Sequence, residues 1–375
     1  MRRVEVLGTG SHLPGEPITN QQLAELCGPL PEEVVSGLGV ERRHWIADPA
    51  TGEHLESNSE MAHLAAVQAL ERAQVEPGEI ELIVVSTSSP DYLLPPLATL
   101  VQDKLGLAEC AIVDVRSGCA GAMAALDIAR LYLERGTYRT ALVIGSEVIS
   151  PLLVPIYRGR DPESLRIRER LNLYLFGDGA GAIVLRTGEE DGPGILFATM
   201  SAIGGGRKPG MQIVGFGTHA PVHRQLEAPR LVDLRMDVAE TARMSPVLLS
   251  RAVRATLAGA GITASDVDVC VIPEGDPNQL LDEIRTAGGE LGDWNALSGK
   301  VVGDLAEVGA TGSGAMPLSL DHAWAEGGID AGDLVLIAAA ETSKWIFAGA
   351  LVRWSRPAPQ IKPGTTPHPG PALSC

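Results

Sequence analysis

The sequence predicts an α/β protein in which buried strands alternate with covering helices, and three observations support this prediction. Short apolar runs recur along the chain, and each is closed by small or polar residues, as buried strands require. Segments with apolar residues at helical spacing lie between these runs. The 375 residues are 45% hydrophobic but only 4% aromatic, a composition typical of globular α/β chains.

The first half shows this alternation most clearly. Residues 4–7 are predicted to form a buried strand that ends in a tight turn at Gly8–Thr9–Gly10. Residues 81–146 then follow the order β-α-β-α-β, which is typical of a parallel sheet with helices on its faces.

The second half repeats the plan. It contains an amphipathic helix over 245–260, a strand over 268–273, a small-residue turn over 306–314 that leads into a helix, and strands over 333–339 and 348–354. This internal repeat predicts two sheets around one core. The predicted units are residues 1–186, residues 187–354, and a proline-rich disordered tail over 355–375.

Composition excludes several classes of function. The net charge of −17, from 47 acidic and 30 basic residues, argues against nucleic-acid binding. The five cysteines are scattered and show neither CxxC pairs nor Cys/His ligand spacing, so neither a disulfide framework nor a metal site is predicted. No apolar run reaches the length of a membrane span and no leader-like stretch is visible, so the expected location is cytoplasmic, away from membranes.

One cysteine lies where chemistry is expected. Ser117–Gly118–Cys119–Ala120–Gly121 joins a predicted strand to a predicted helix. The free N–H groups and positive end of such a helix favour a thiolate and can receive an oxyanion. On this pattern alone, Cys119 can equally be a small core residue.

A basic cluster interrupts the regular alternation over residues 148–173. One hypothesis is a solvated helix, and the other is a docking patch for an acidic carrier protein or a phosphate. The cluster consists of Arg158, Arg160, Arg166, Arg168 and Arg170.

Several motifs in register point to one family. They are Ser117–Gly118–Cys119–Ala120–Gly121, Phe176–Gly177–Asp178–Gly179–Ala180–Gly181–Ala182, Gly332–Asp333–Leu334–Val335–Leu336 and Ala350–Leu351–Val352–Arg353–Trp354. Over about residues 1–354, the chain resembles a β-ketoacyl-ACP synthase III of the thiolase superfamily. The resemblance implies a five-layered α-β-α-β-α fold with internal duplication, a homodimer and no permanently bound cofactor. It also implies that Cys119 is acylated from acyl-CoA or a phosphopantetheinyl acyl carrier protein, with backbone N–H groups stabilising the oxyanion.

The sequence departs from the family pattern at the residues that assist the cysteine. Glu274 occupies the position of the family's histidine, and Ala310 occupies that of its asparagine. The glycine triplet that shapes the oxyanion region is replaced by Thr342–Ser343–Lys344, so Ala310, Ser343 and Lys344 are expected around the pocket. The tryptophan and arginine that grip CoA fall on Glu33 and Gly37, which favours a carrier protein as donor.

These departures change the expected reaction. An ionised carboxylate cannot donate a hydrogen bond to an enolate oxygen, so Glu274 disfavours decarboxylation of a malonyl group. It can instead act as a general base, with a pKa raised by burial. The alternative is that Glu274 only accepts local backbone N–H groups.

The resulting expectation is an acyltransferase of polyketide or other specialised metabolism. Cys119 would pass its acyl group to a carbon or oxygen nucleophile of a small-molecule or carrier-bound acceptor, without decarboxylation. The alternatives are a non-catalytic partner subunit of a condensing enzyme and a conventional β-ketoacyl-ACP synthase III.

Overall fold

The computed structural model describes residues 2–228, 232–275, 279–288 and 291–359, and the statements below concern these residues. The strands are β1 (Val4–His12), β2 (Ile18–Thr19), β3 (Arg42–Arg43), β4 (Leu82–Ser86), β5 (Ala111–Val115), β6 (Thr140–Glu147), β7 (Gly179–Thr187), β8 (Gly194–Ala202), β9 (Met211–Val214), β10 (Asp233–Met236), β11 (Val269–Val271), β12 (Val301–Val302), β13 (Leu334–Glu341) and β14 (Ile346–Arg353). The α-helices are α1 (Asn20–Cys27), α2 (Glu32–Leu38), α3 (Asn58–Ala73), α4 (Leu97–Lys104), α5 (Gly121–Glu134), α6 (Ser150–Tyr157), α7 (Ile167–Leu175), α8 (Val222–Leu226), α9 (Val238–Ala260), α10 (Leu280–Thr286), α11 (Gly292–Leu297), α12 (Leu305–Val308) and α13 (Ala315–Ala325).

The two large sheets have the same topology. The first has the order β1-β7-β6-β4-β5, and the second, read in the same direction, has the order β8-β14-β13-β11-β12. In each sheet the first two pairings are antiparallel and the last two are parallel. The internal duplication is therefore confirmed. Each sheet also contains antiparallel strands, and apolar runs in the sequence do not distinguish these from parallel strands.

The sheets and helices form five layers, as expected. Helices α5 and α13 lie between the two sheets and share one hydrophobic core with both of them. Helices α3 and α4 cover the outer face of the first sheet, and α9 covers that of the second. The central layer fits because α5 is rich in alanine on its buried surface, which allows both sheets to approach closely.

Strand β1 extends through the predicted turn at Gly8–Thr9–Gly10. A Cβ at Gly8 would lie 2.7 Å from the backbone nitrogen of Ala73, and one at Gly10 would lie 2.4 Å from that of Ala69. The turn prediction is therefore wrong: these glycines allow the strand to pack directly against α3.

The C-terminal segment remains attached to the body beyond β14. The Ser355 hydroxyl donates to the carbonyl of Val6 at 2.9 Å, and the buried indole of Trp324 donates to the carbonyl of Pro357 at 3.1 Å. The predicted disordered tail over 355–375 is therefore wrong at its first residues, because their polar groups pair with groups of the core. Residues 360–375 lie outside the described residues.

Candidate active site

Two equivalent turns meet at the centre of the molecule. Gly118–Ala120 forms a short 3₁₀ turn before α5, and Gly312–Gly314 forms one before α13. Gly118 and Gly312 have φ angles of 52° and 53°, in the left-handed region that favours glycine. The Ser313 hydroxyl donates to the carbonyl of Gly118 at 3.0 Å and so joins the turns.

A buried glutamate at the end of one sheet's central strand caps the turn of the other half. Glu341 ends β13, and its Oε2 accepts the N–H of Cys119 at 2.5 Å. Glu147 ends β6, and its Oε2 accepts the N–H of Ser313 at 3.3 Å. The two carboxylates therefore hold the two halves together by reciprocal caps.

Glu341 has a second donor. Its Oε1 accepts the N–H of Ser343 at 2.5 Å, so two backbone N–H groups converge on this one carboxylate. A Cβ at Gly118 would lie only 1.7 Å from Oε2, which shows how closely the carboxylate lies against the turn. The space in front of the Cys119 N–H is therefore filled by Glu341.

Glu147 is anchored by more donors. Its Oε1 accepts the N–H of Ser88 at 2.8 Å and the hydroxyls of Ser89 at 2.5 Å and Thr87 at 3.3 Å. Burial raises the pKa of Glu147, and these hydrogen bonds oppose the rise. Its surroundings make it a structural anchor of the first half.

Glu274 lies beside the Cys119 thiol. Its place at the position of the family's histidine predicts this. It follows β11, lines the same cavity as Cys119, and accepts the N–H of Gly312 on Oε1 at 3.0 Å. Burial, with the nearby Glu341 carboxylate, raises the pKa of Glu274 to about 8, although the Cys119 thiol and the N–H of Gly312 oppose the rise.

The surroundings of Cys119 favour the neutral form of its thiol over the thiolate. Burial and the carboxylates of Glu274 and Glu341 raise its pKa well above the usual value. The prediction that the helix end favours a thiolate is therefore wrong, because the acidic neighbours outweigh it. A neutral thiol must lose its proton when it reacts, and the neighbouring carboxylate of Glu274 can take it.

Cys119 and Glu274 open into a cavity of about 720 Å³. Its inner wall includes Ala310, whose methyl group offers no hydrogen bond, and Gly37 of α2 lies on its wall as well. A Cβ at Gly37 would meet nothing within 4 Å, so the cavity has free space there. The lining extends from α2 and α9 to the turn of Cys119, and the volume is in the range of pockets that bind small-molecule ligands.

A second cavity, of about 1320 Å³, lies on the other side of Glu341. Gly118, Glu341 and Ser343 line it, together with the largely exposed side chains of Leu93 and Phe216. Glu341 thus lies between the Cys119 thiol, which faces the first cavity, and the second cavity.

The remaining expected pocket residues have different positions. Ala310 lines the first cavity and Ser343 the second, whereas Lys344 lines neither of the two. Lys344 lies in the turn between β13 and β14, and its ammonium donates to the carbonyl of Arg207. The expectation of Lys344 in the pocket is therefore wrong.

The five arginines of the basic cluster do not line the cavity of Cys119. Arg170 donates to the carbonyls of Cys27, Pro29 and Pro162, and Arg160 and Arg166 both approach Glu169. Arg166 and Arg168 line a separate cavity, and Arg158 lies at another surface depression beside Gly52. Several of these side chains thus have internal partners, and a docking role for the cluster stays a prediction.

The described residues contain no group of three or more His, Cys, Asp and Glu side chains that is suited to a metal ion. In the same part of the chain, no helix is long and apolar enough to cross a membrane. The turn of Cys119 itself presents a thiol, carboxyl groups and backbone N–H groups.

Comparison with known proteins identifies the family. Residues 113–204, which include Cys119, match the family model of 3-oxoacyl-[acyl-carrier-protein (ACP)] synthase III. The chain is 31% identical over 358 residues to the β-ketoacyl-[acyl-carrier-protein] synthase III of Desulfitobacterium hafniense strain Y51, covering 95% of this chain and 99% of the relative. The chain belongs to the β-ketoacyl-ACP synthase III family. The corresponding protein of Syntrophomonas wolfei is 34% identical, over 94% of this chain and 98% of its own length.

Solved structures of this family share the fold. The tetronic acid condensing enzyme AbyA1 superposes with a TM-score of 0.79 at 31% identity, covering 93% of this chain and 99% of that one. The priming β-ketosynthase of the R1128 polyketide pathway superposes with a TM-score of 0.76 at 27% identity, covering 96% and 98%. The chain is therefore an enzyme of the condensing type with relatives in polyketide biosynthesis.

Sequence reasoning missed Glu341, Glu147 and Ser313 as parts of the site. A signal was present, because each glutamate follows a buried apolar strand at the same place in the repeat. Aligning the two halves would have placed both carboxylates opposite the two turns.

Proposed function

We propose that this enzyme is an acyltransferase that forms an acyl-thioester on Cys119 and passes the acyl group to a second carbon or oxygen nucleophile, without decarboxylation. The observation that carries the proposal is that Glu274, a carboxylate whose pKa of about 8 suits a base at neutral pH, lines the same cavity as Cys119 and interacts with its thiol. Ala310 at the same cavity supplies no donor for an enolate.

The first step loads the cysteine. Glu274 takes the thiol proton as the sulfur of Cys119 attacks the thioester carbonyl of the donor. The carbon–sulfur bond of the donor breaks, and the leaving thiolate receives the proton from Glu274. The step leaves an acyl-thioester on Cys119 and a free carrier or CoA thiol, with the base again ionised.

The second step transfers the acyl group from Cys119 to the acceptor. Glu274 removes a proton from the hydroxyl of an acceptor, or from an acidic carbon between two carbonyls, and that atom attacks the thioester. Cys119 leaves as a thiolate and takes the proton back. This chemistry suits assembly of a tetronate-like product, and the likeness to a tetronic acid condensing enzyme supports specialised metabolism.

The donor we favour is an acyl carrier protein, and the enzyme is proposed to act as a homodimer. Glu33 and Gly37 offer no cation or ring at the positions where the family grips CoA. Strand β5 forms the free edge of the first sheet, and its partly buried side chains are suited to pairing with a second copy.

Intact-mass spectrometry tests the proposal. The enzyme is incubated with a panel of acyl-CoA and acyl-carrier donors, and a mass gain is expected that is lost in Cys119→Ala. Cys110→Ala is the matched control, because Cys110 is also partly exposed but lies outside the cavity, and it should keep the adduct.

The outcomes separate the alternatives. No adduct with any donor favours the non-catalytic partner subunit and overturns the proposal. Release of carbon dioxide from a malonyl-carrier by the loaded enzyme favours a conventional β-ketoacyl-ACP synthase III.

A further inference from the structure

The N–H groups of Cys119 and Ser343 converge on one point beside the nucleophile. Both bind the same carboxylate, each at 2.5 Å, one through Oε2 and the other through Oε1 of Glu341. Glu341 is fully buried. The chain thus places an anion of its own where two backbone donors meet.

The same two donors are placed to serve a thioester on Cys119. When sulfur attacks a carbonyl, negative charge develops on the oxygen, and convergent backbone N–H groups are the usual means of stabilising it. The carbonyl carbon bonded to the sulfur of Cys119 must lie near the N–H of that same residue. A carboxylate oxygen and the developing oxyanion would therefore compete for these donors.

We infer that Glu341 is an internal occupant of the oxyanion site, and that acylation of Cys119 requires its carboxylate to withdraw from the two N–H groups. This inference rests on the proposed acyl transfer. Glu341 is then a positioning residue that closes the site until an acyl group displaces it. It selects for donors that bind well enough to offset the two lost hydrogen bonds.

The structure offers a route for the withdrawal. Glu341 already lines the cavity of about 1320 Å³, and Gly118, the first residue of the turn against which the carboxylate lies, has no side chain to obstruct it. The exposed Arg116 lines the same cavity and offers a positive charge to the displaced carboxylate.

The repeat supplies an internal comparison. Glu147 caps the equivalent turn, but the N–H and hydroxyl groups of residues 87–89 also hold it. Among the described residues, the hydrogen bonds of Glu341 come from the N–H groups of Cys119 and Ser343 alone. Glu341, beside the thiol, therefore has fewer hydrogen bonds to lose than Glu147 if its carboxylate leaves the turn.

The test uses Glu341→Ala, with Glu147→Gln as the matched control that alters the equivalent cap. The probe is sodium formate, a small carboxylate, compared with sodium chloride at the same ionic strength. Formate should raise the thermal unfolding midpoint of Glu341→Ala by several degrees and leave that of the wild type and of Glu147→Gln unchanged. Formate should also slow acylation of Glu341→Ala in competition with the acyl donor.

In the absence of formate, Glu341→Ala should be acylated about tenfold faster than the wild type at limiting donor. If Glu341→Ala does not fold, Glu341→Gln takes its place. Its amide presents one N–H₂ group to a backbone donor, so the same changes should appear at smaller size.

The inference is overturned if a folded Glu341 variant shows no more response to formate than the wild type does. The thermal measurement needs no acyl transfer. If formate stabilises the variant but no donor acylates the protein, the inference that Glu341 occupies the oxyanion site is kept and the proposed function is rejected.

Discussion

The base role of Glu274 gives the most direct quantitative prediction, and Glu274→Gln is the perturbation. Glutamine keeps an oxygen for the N–H of Gly312, which Glu274 Oε1 accepts at 3.0 Å, but it cannot take a proton from Cys119. Loss of a general base costs about 10²- to 10⁴-fold in rate. We expect a fall of this size in the rate of acylation.

The pH dependence has a definite sign. Because Glu274 has a pKa of about 8, it is mostly protonated at pH 6 and ionised at pH 9. The acylation rate of the wild type should rise about tenfold for each pH unit below 8 and level off above it. In Glu274→Gln this rise should move to higher pH, because it then follows ionisation of the Cys119 thiol alone.

The same pKa predicts a change in stability. Glu274 binds its proton more tightly in the folded chain than at its ordinary value of 4.5, so its contribution is present below about pH 4.5 and is lost as pH rises through 8. The difference corresponds to at most about 5 kcal/mol. Glu274→Gln should therefore unfold at a higher temperature than the wild type at pH 9, and the gain should shrink at pH 5.

Stopped-flow or quenched-flow mass spectrometry with one acyl-carrier donor measures the rates between pH 6 and pH 9.5. Glu147→Gln is the control, because Glu147 is also a buried carboxylate but hydrogen-bonds to the 87–89 turn rather than to the thiol. If Glu274→Gln is acylated at the wild-type rate and with an unchanged pH profile, the reasoning is refuted.

Three further predictions concern the turn and the cavity. Gly118→Ala should lower the thermal unfolding midpoint more than Gly136→Ala, because both residues have positive φ angles but only the first Cβ meets a side chain, at 1.7 Å from Glu341 Oε2; equal losses in the two melts would contradict this. Gly37→Arg should lower the KM for acyl-CoA relative to acyl-carrier donors by several-fold, since the new side chain has free space at the cavity wall, and a steady-state comparison of the two donors measures it. Glu274→His with Ala310→Asn should together release carbon dioxide from a malonyl donor while neither single variant does, because two donors are needed for the enolate oxygen; the double variant staying inactive in a ¹⁴C-release assay would argue against that account.

Much of the fold could be predicted because its signals are local. Apolar runs bounded by small residues indicate the strands of both sheets, and their repetition indicates the duplication. Antiparallel pairing of β1 and β7 could not be predicted, since strand direction depends on contacts between distant segments. Gly8 and Gly10 were misread as a turn because a glycine that allows close packing against a helix looks the same in sequence as one that allows a turn.

The sequence predicts only those residues of the site that occupy a recognisable position in the family's motifs. Cys119, Glu274 and Ala310 line one cavity as expected, because each occupies a recognisable motif position. The ionisation of the thiol was not predicted, since it depends on carboxylates that come from other strands. Glu341 is 222 residues away from Cys119 in sequence, so no local pattern connects them.

The reciprocal caps also bear on how the chain folds and how it can be divided. The N–H of Cys119 finds its acceptor 222 residues later, and the N–H of Ser313 finds its acceptor 166 residues earlier. Neither half can complete its own central turn, so a fragment containing one half would expose a capping carboxylate and leave a turn without its acceptor. The two repeats should therefore unfold as one cooperative unit, and contacts of such long range favour slow folding that begins elsewhere and closes the turns last.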